Sequence, residues 1–259
     1  MNRQPAVAGM FYPADPGQLH QMLDQYLSDV EGDAKVPKAI IVPHAGYIYS
    51  GPVAASAYAR LNKASDVITR VVLIGPSHCM AFKGLAVSKA QLFTTPLGAI
   101  RVDQHTIKQL LKLPFVEYLE QAHSHEHSLE VHLPFLQEML DNFDIVPIVA
   151  GDASAEEIGR VLDLLWGGDE TLIVISSDLS HYHDYATAKK LDETTSKAIE
   201  ALEYEKLDHN AACGKTPVSG LLKFAREKSL AVKCIDLRNS GDTAGNKERV
   251  VGYGAYVID

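Results

Sequence analysis

Apolar runs of strand length alternate with stretches of helical period along the chain. The runs fall at 39–42 (AIIV), 70–75 (RVVLIG), 143–150 (FDIVPIVA), 171–177 (TLIVISS), 230–237 (LAVKCIDL) and 249–258 (RVVGYGAYVI). They are nearly continuous rather than alternating, the mark of strands covered on both faces. Between them, Leu19, Met22, Leu23, Tyr26 and Leu27 share one helical face, as do Ile158, Val161, Leu162 and Leu165. Pro16 suits the start of a helix, and "DASAEE" at 152–157 offers a cap followed by acidic residues in the first turn. The section 83–102 reads as short antiparallel excursions. The pattern predicts an α/β protein: one three-layer α/β/α domain over residues 1–259 with a largely parallel or mixed central sheet.

Three of the apolar runs end alike. The first stops at Pro43 and is followed by His44; the second stops at Gly75-Pro76 and delivers Ser77 and His78; the third runs into Ser176, Ser177, Asp178, Ser180, His181 and His183. In open α/β sheets ligands bind at the carboxyl ends of the strands, and parallel strands bring such loops to one edge. One histidine after a strand reads as a turn residue bonded to backbone. Three in equivalent positions predict a shared site, with Tyr47 and Tyr49 as pocket wall and Gly51-Pro52 opening the next helix.

A fourth polar group is "EHSLEVHLPFLQEML" at 126–140. His127 and His132 are five residues apart, about 140° around a helix, so they cannot hold one metal from a single helical face. His127 and Glu130 are candidate pocket-wall residues, and a supporting or structural role suits both better. Cys213 precedes a predicted helix capped by Thr216 and opened by Pro217, where the helix dipole favours thiolate. A small buried hydrophobe is the equal alternative. Cys79, read with an inward side chain, and Cys234, inside an apolar strand, read as structural.

Charge and composition narrow the classes. The 259 residues carry a net charge of −9, which argues against nucleic acid and anionic membranes as partners. No apolar run approaches the ~18 residues of a membrane span, and the first residues lack the apolar core of a signal peptide. Three scattered cysteines suit a reducing cytoplasm. There is no G-x-G-x-x-G, Walker loop, C-x-x-C or G-x-S-x-G.

Taken together, "AGMFYP", "VPHAGYIYSG", "GPSH", "EHSLEVHLPFL", "SSDLSH", "ACG" and "VVGYGA", in this order across nearly the whole chain, resemble the Memo family. In bacteria and archaea this is protein B of the AmmeMemoRadiSam group, similar in fold to class III extradiol dioxygenases of the LigB type. The resemblance implies a metal-ligand-like trio of His44, His78 and Cys213, with Asp178 and His181 as an acid/base pair. It also implies a link to AMMECR-type and radical-SAM proteins. True extradiol enzymes hold Fe(II) with two histidines and a carboxylate; a cysteine in the third place admits Fe(II), Zn(II) or Cu. Fold likeness alone does not carry chemistry. Three functions follow as expectations: a metal-dependent redox enzyme on a small molecule, a non-enzymatic adaptor whose pocket takes a peptide or anionic group, and a hydrolase using metal-activated water.

Overall fold

The computed structural model describes residues 1–28, 30, 35–208 and 210–259. The strands are β1 (Asn2–Arg3), β2 (Ala39–Val42), β3 (Arg70–Pro76), β4 (Leu85–Val87), β5 (Leu92–Thr95), β6 (Gly98–Val102), β7 (Val116–Tyr118), β8 (Asp144–Ala150), β9 (Thr171–Ser176), β10 (His181–His183), β11 (Val232–Asn239) and β12 (Val250–Ile258). The helices are α1 (Pro16–Ser28), α2 (Tyr47–Tyr58), α3 (Gln104–Leu110), α4 (Glu120–Ser124), α5 (His127–Glu130), α6 (Leu133–Met139), α7 (Ala155–Leu165), α8 (Tyr185–Glu200) and α9 (Lys215–Lys228).

The strands join one mixed sheet whose main path runs β1-β5-β6-β8-β3-β9-β2-β12-β10. Its centre, β8-β3-β9-β2, is parallel throughout. All six residues of β9 and all four of β2 are buried, which is why these segments read as unbroken apolar runs. The antiparallel pairs lie toward the margins: β5 with β6, β4 with β8, and β12 with its neighbours β2, β10 and β11. The antiparallel excursions expected over 83–102 are β4, β5 and β6.

Helices cover both faces. A side chain at Gly75 on β3 would run into Ser128 and Leu129 of α5, and one at Gly252 on β12 would run into Asp192 of α8. Residue alternation along a strand sends neighbouring positions to opposite layers. On the second face α7 and α9 cross in close contact, because Gly220 leaves room for Ile158. Gly220→Ala is therefore expected to lower stability by about 1–3 kcal/mol through overpacking, read as a lower denaturant midpoint. An unchanged midpoint would show that the two helices separate freely.

Two local expectations differ. The last helix starts at Lys215 with Gly214 as its cap, ahead of the predicted Thr216-Pro217 start; Gly214 is held by its own N–H to Ser177 Oγ at 3.0 Å. Helix α2 begins at Tyr47 and contains Pro52, so Gly51-Pro52 lies inside it rather than opening it. Pro134 falls in the first turn of α6, where its missing N–H costs nothing.

Candidate metal centre

Strands β2, β9 and β3 are adjacent and parallel, with Val42 level with Ser176. Their carboxyl ends therefore deliver His44, Asp178 and His78 to one edge, each two residues past its strand. The turn leading into helix α9 brings Cys213 to the same place. A cavity of about 570 Å³ opens there, lined among others by His44, His78, His127, Asp178, His181 and Cys213. One ring nitrogen from each of His44 and His78 and the Cys213 sulfur lie within 4.8 Å of one another.

The hydrogen bonds around His44 determine where its proton sits. Ser176 Oγ donates its single proton to the Ser128 carbonyl at 2.6 Å. His44 Nδ1, 2.6 Å from the same oxygen, must therefore be the donor. That leaves Nε2 as a bare acceptor, 3.3 Å from Cys213 Sγ. Burial, and then the neighbouring rings of His78, His127, His132 and His181, lower the pKa of His44 well below the ordinary histidine value, so its ring is neutral.

His78 is oriented by a different device. Glu126 accepts its main-chain N–H at 2.6 Å and lies 2.8 Å from its Nδ1. A carboxylate on one ring nitrogen leaves the other free as a ligand, the usual support of a metal-binding histidine. Burial alone would raise the Glu126 carboxyl. The His78 ring and the N–H groups of His78 and Ser128 outweigh it and hold the group at about 2. His127 stacks on His78, ring centres 4.5 Å apart, and packs against Phe11.

Asp178 is buried. Its Oδ1 accepts the His44 main-chain N–H at 2.7 Å, while its own N–H points at Cys213 Sγ at 3.3 Å. Burial pushes the carboxyl up to about 7, against the pull of the His44 and Ala45 N–H groups and the His78 ring. At Cys213 the sequence leaves thiolate and buried thiol equally open. Burial, and next the Asp178 carboxyl, push its thiol pKa up despite the helix that follows, so the metal-free protein holds a thiol there. Desolvation exceeds the helix-end effect, which is worth at most about 2 kcal/mol. His181 stands on the cavity wall as a neutral ring, its pKa lowered by burial.

Not every predicted site residue reaches the cavity. Glu130 is fully buried and spends its carboxylate on Arg3 Nη1 (2.7 Å), the N–H groups of Ala6 and Val7, and the Tyr12 hydroxyl (2.6 Å). Tyr47 is buried in the core, donating its hydroxyl to the Val131 carbonyl. Ser77 donates to the Met80 carbonyl and borders a separate cleft of about 260 Å³ on the other side of Cys213. Cys79, expected to point inward, is exposed. Three supporting residues were missed as such: Glu126, Ser176 and His132. Glu126 stands in the quoted His-rich motif, but no local spacing ties it to His78, 48 positions away. Among the described residues no helix is long and apolar enough to cross a membrane.

Comparison with known proteins agrees with these motifs. The Memo-like protein family matches residues 3–257. A MEMO1 family protein of Aquifex aeolicus is 40% identical over 97% of each chain. Another from Methanosarcina barkeri is 36% identical over 99% of this chain and 100% of its own, and one from Methanocaldococcus jannaschii is 34% identical over 99% of both. A crystal structure of an uncharacterized Escherichia coli K12 protein aligns with 85% of this chain and 98% of its own, at a TM-score of 0.48 and 14% identity. With the family match spanning nearly every residue, the chain belongs to the Memo-like family.

Proposed function

We propose that the protein binds one divalent metal ion through His44, His78 and Cys213, Fe(II) foremost with Zn(II) or Cu as alternatives, and acts as a metal-dependent redox enzyme on a small molecule. One observation carries this reading. Both histidines have Nδ1 occupied by a hydrogen-bond partner, one ring nitrogen of each lies with the Cys213 sulfur within 4.8 Å, and the free Nε2 of His44 is 3.3 Å from that sulfur. Two imidazoles and a thiol suit iron, zinc and copper better than magnesium or calcium.

Bound iron would supply redox and Lewis-acid chemistry at that point. The chain itself supplies proton handling. Asp178, with a pKa of about 7, carries or releases a proton near neutrality, and the neutral His181 ring on the wall accepts one. The stacked His127–His78 pair, with Phe11 tilted against His127, gives the cavity an aromatic wall for a planar substrate group. A cytoplasmic setting and the link to AMMECR-type and radical-SAM proteins belong to the same reading.

The test is elemental analysis of anaerobically prepared protein. Wild type should carry about one equivalent of metal, and His44→Ala and Cys213→Ser should each lose most of it. Folded, metal-free wild type under those conditions would overturn the proposal. The adaptor reading rests on the same aromatic wall. It requires His44→Ala to weaken binding of a peptide or anionic partner with or without metal.

A further inference from the structure

Beneath the cavity lies a chain of buried polar groups, none of which lines it. The Tyr58 hydroxyl is 3.0 Å from His132 Nδ1, and His132 Nε2 is 2.9 Å from Ser176 Oγ. Ser176 in turn meets both His44 Nδ1 and the Ser128 carbonyl. Tyr58, His132 and Ser176 are all buried, so their proton directions are a matter of counting.

The Ser128 carbonyl can only accept, so it takes the one Ser176 proton. The serine oxygen then has acceptor capacity left and nothing to give. Each imidazole that reaches it must therefore donate: His132 through Nε2–H and His44 through Nδ1–H. With its proton on Nε2, His132 presents a bare Nδ1, and the Tyr58 hydroxyl donates to that. Burial, opposed by the Ser128 backbone bond and reinforced by His127, lowers His132 to about 3, which agrees with a neutral ring.

We infer that Tyr58, His132 and Ser176 form a positioning relay that holds His44 in the Nδ1–H form, with Nε2 stripped for ligation. None of the three reaches the metal position. This deepens the proposed metal centre and rests on it for its purpose, but the tautomer itself belongs to the metal-free protein. Without the relay, His44 can place its proton on Nε2 and donate it to Cys213, which removes one of the three donor atoms. Such outer supports typically change metal affinity 10- to 100-fold.

The experiment has two readouts. Two-dimensional 15N–1H spectra of histidine-labelled, metal-free protein report which ring nitrogen of His44 and of His132 carries the proton. Zn(II) titration reports affinity. Wild type should show Nδ1–H at His44 and Nε2–H at His132. Ser176→Ala should shift His44 toward Nε2–H and weaken Zn(II) binding 10- to 100-fold. His132→Leu should do the same in part, whereas His132→Gln, which keeps an N–H near the Nε2 position, should restore wild-type behaviour. Should His132→Leu fail to fold, Ser176→Ala, the loss of one oxygen, carries the test. Nε2–H at His44 in wild type overturns the inference. So does a folded Ser176→Ala protein with unchanged tautomer and unchanged Zn(II) affinity. If wild type binds no Zn(II), the metal reading falls while the ring spectra still decide the relay.

Discussion

Glu130→Ala is expected to destabilise the protein by about 3–5 kcal/mol, the scale for breaking a buried ion pair by removing one partner. The carboxylate has no exposure and gathers four hydrogen bonds from the first twelve residues: Arg3, Ala6, Val7 and Tyr12. Its loss strands the Arg3 guanidinium, itself almost wholly buried and otherwise bonded to the carbonyls of His123 and Glu126. The damage extends beyond stability. The segment tied down by Glu130 carries Phe11, whose carbonyl accepts the Tyr47 N–H at the start of α2 and whose ring forms cavity wall. Urea denaturation gives the number. A Glu130→Met, Arg3→Met double substitution, which removes both charges, should recover much of the loss. A single Glu130→Ala within about 0.5 kcal/mol of wild type, the scale of an ordinary surface change, would show that the N-terminal segment is held by other contacts.

Acid should unfold the protein well before its carboxylates are fully protonated. His123 and His127 are lowered to about 4 and His132 to about 3, in each case by burial first. In the unfolded chain these rings protonate near 6.5. Between pH 6.5 and 4 the unfolded state thus binds more protons, and stability falls as pH falls. At pH 4 each ring withdraws on the order of 3 kcal/mol. Asp178 works in the opposite sense. Its folded pKa of about 7 lies above the unfolded value, so it gains stability as pH drops and offsets roughly one histidine. The net loss, on the order of 6 kcal/mol, is comparable with the whole stability of a typical domain. Urea melts of metal-free protein from pH 7.5 to 4 should show the decline beginning below 6.5. A stability that is flat over that span would mean these rings are protonated in the folded state.

The strands were legible because burial on both faces leaves no polar alternation to misread. Predicted runs at 39–42 and 171–177 became β2 and β9 with ends shifted by at most one residue. The edge of the sheet was legible too. His44, His78 and Asp178 each follow a strand, and parallel neighbours place them together. What could not be read were side chains that reach across the layers. Glu130 and Tyr47 stand in site motifs, yet one turns to the N-terminal segment and the other to the core under Val131. The Cys213 thiol shows the same gap. Its helix is visible in the sequence, but the burial that overrides the helix belongs to the folded shape.

The short stretch 126–132 supports two rings that follow different strands. Glu126 orients His78, while the Ser128 carbonyl and His132, through Ser176, orient His44. Gly75 lets this stretch lie directly against β3. The two rings thus share one origin of coordinates, and neither is placed by its own loop alone. Grafting the strand-end motifs onto another parallel sheet would carry over the ligands but leave behind the part that aims them.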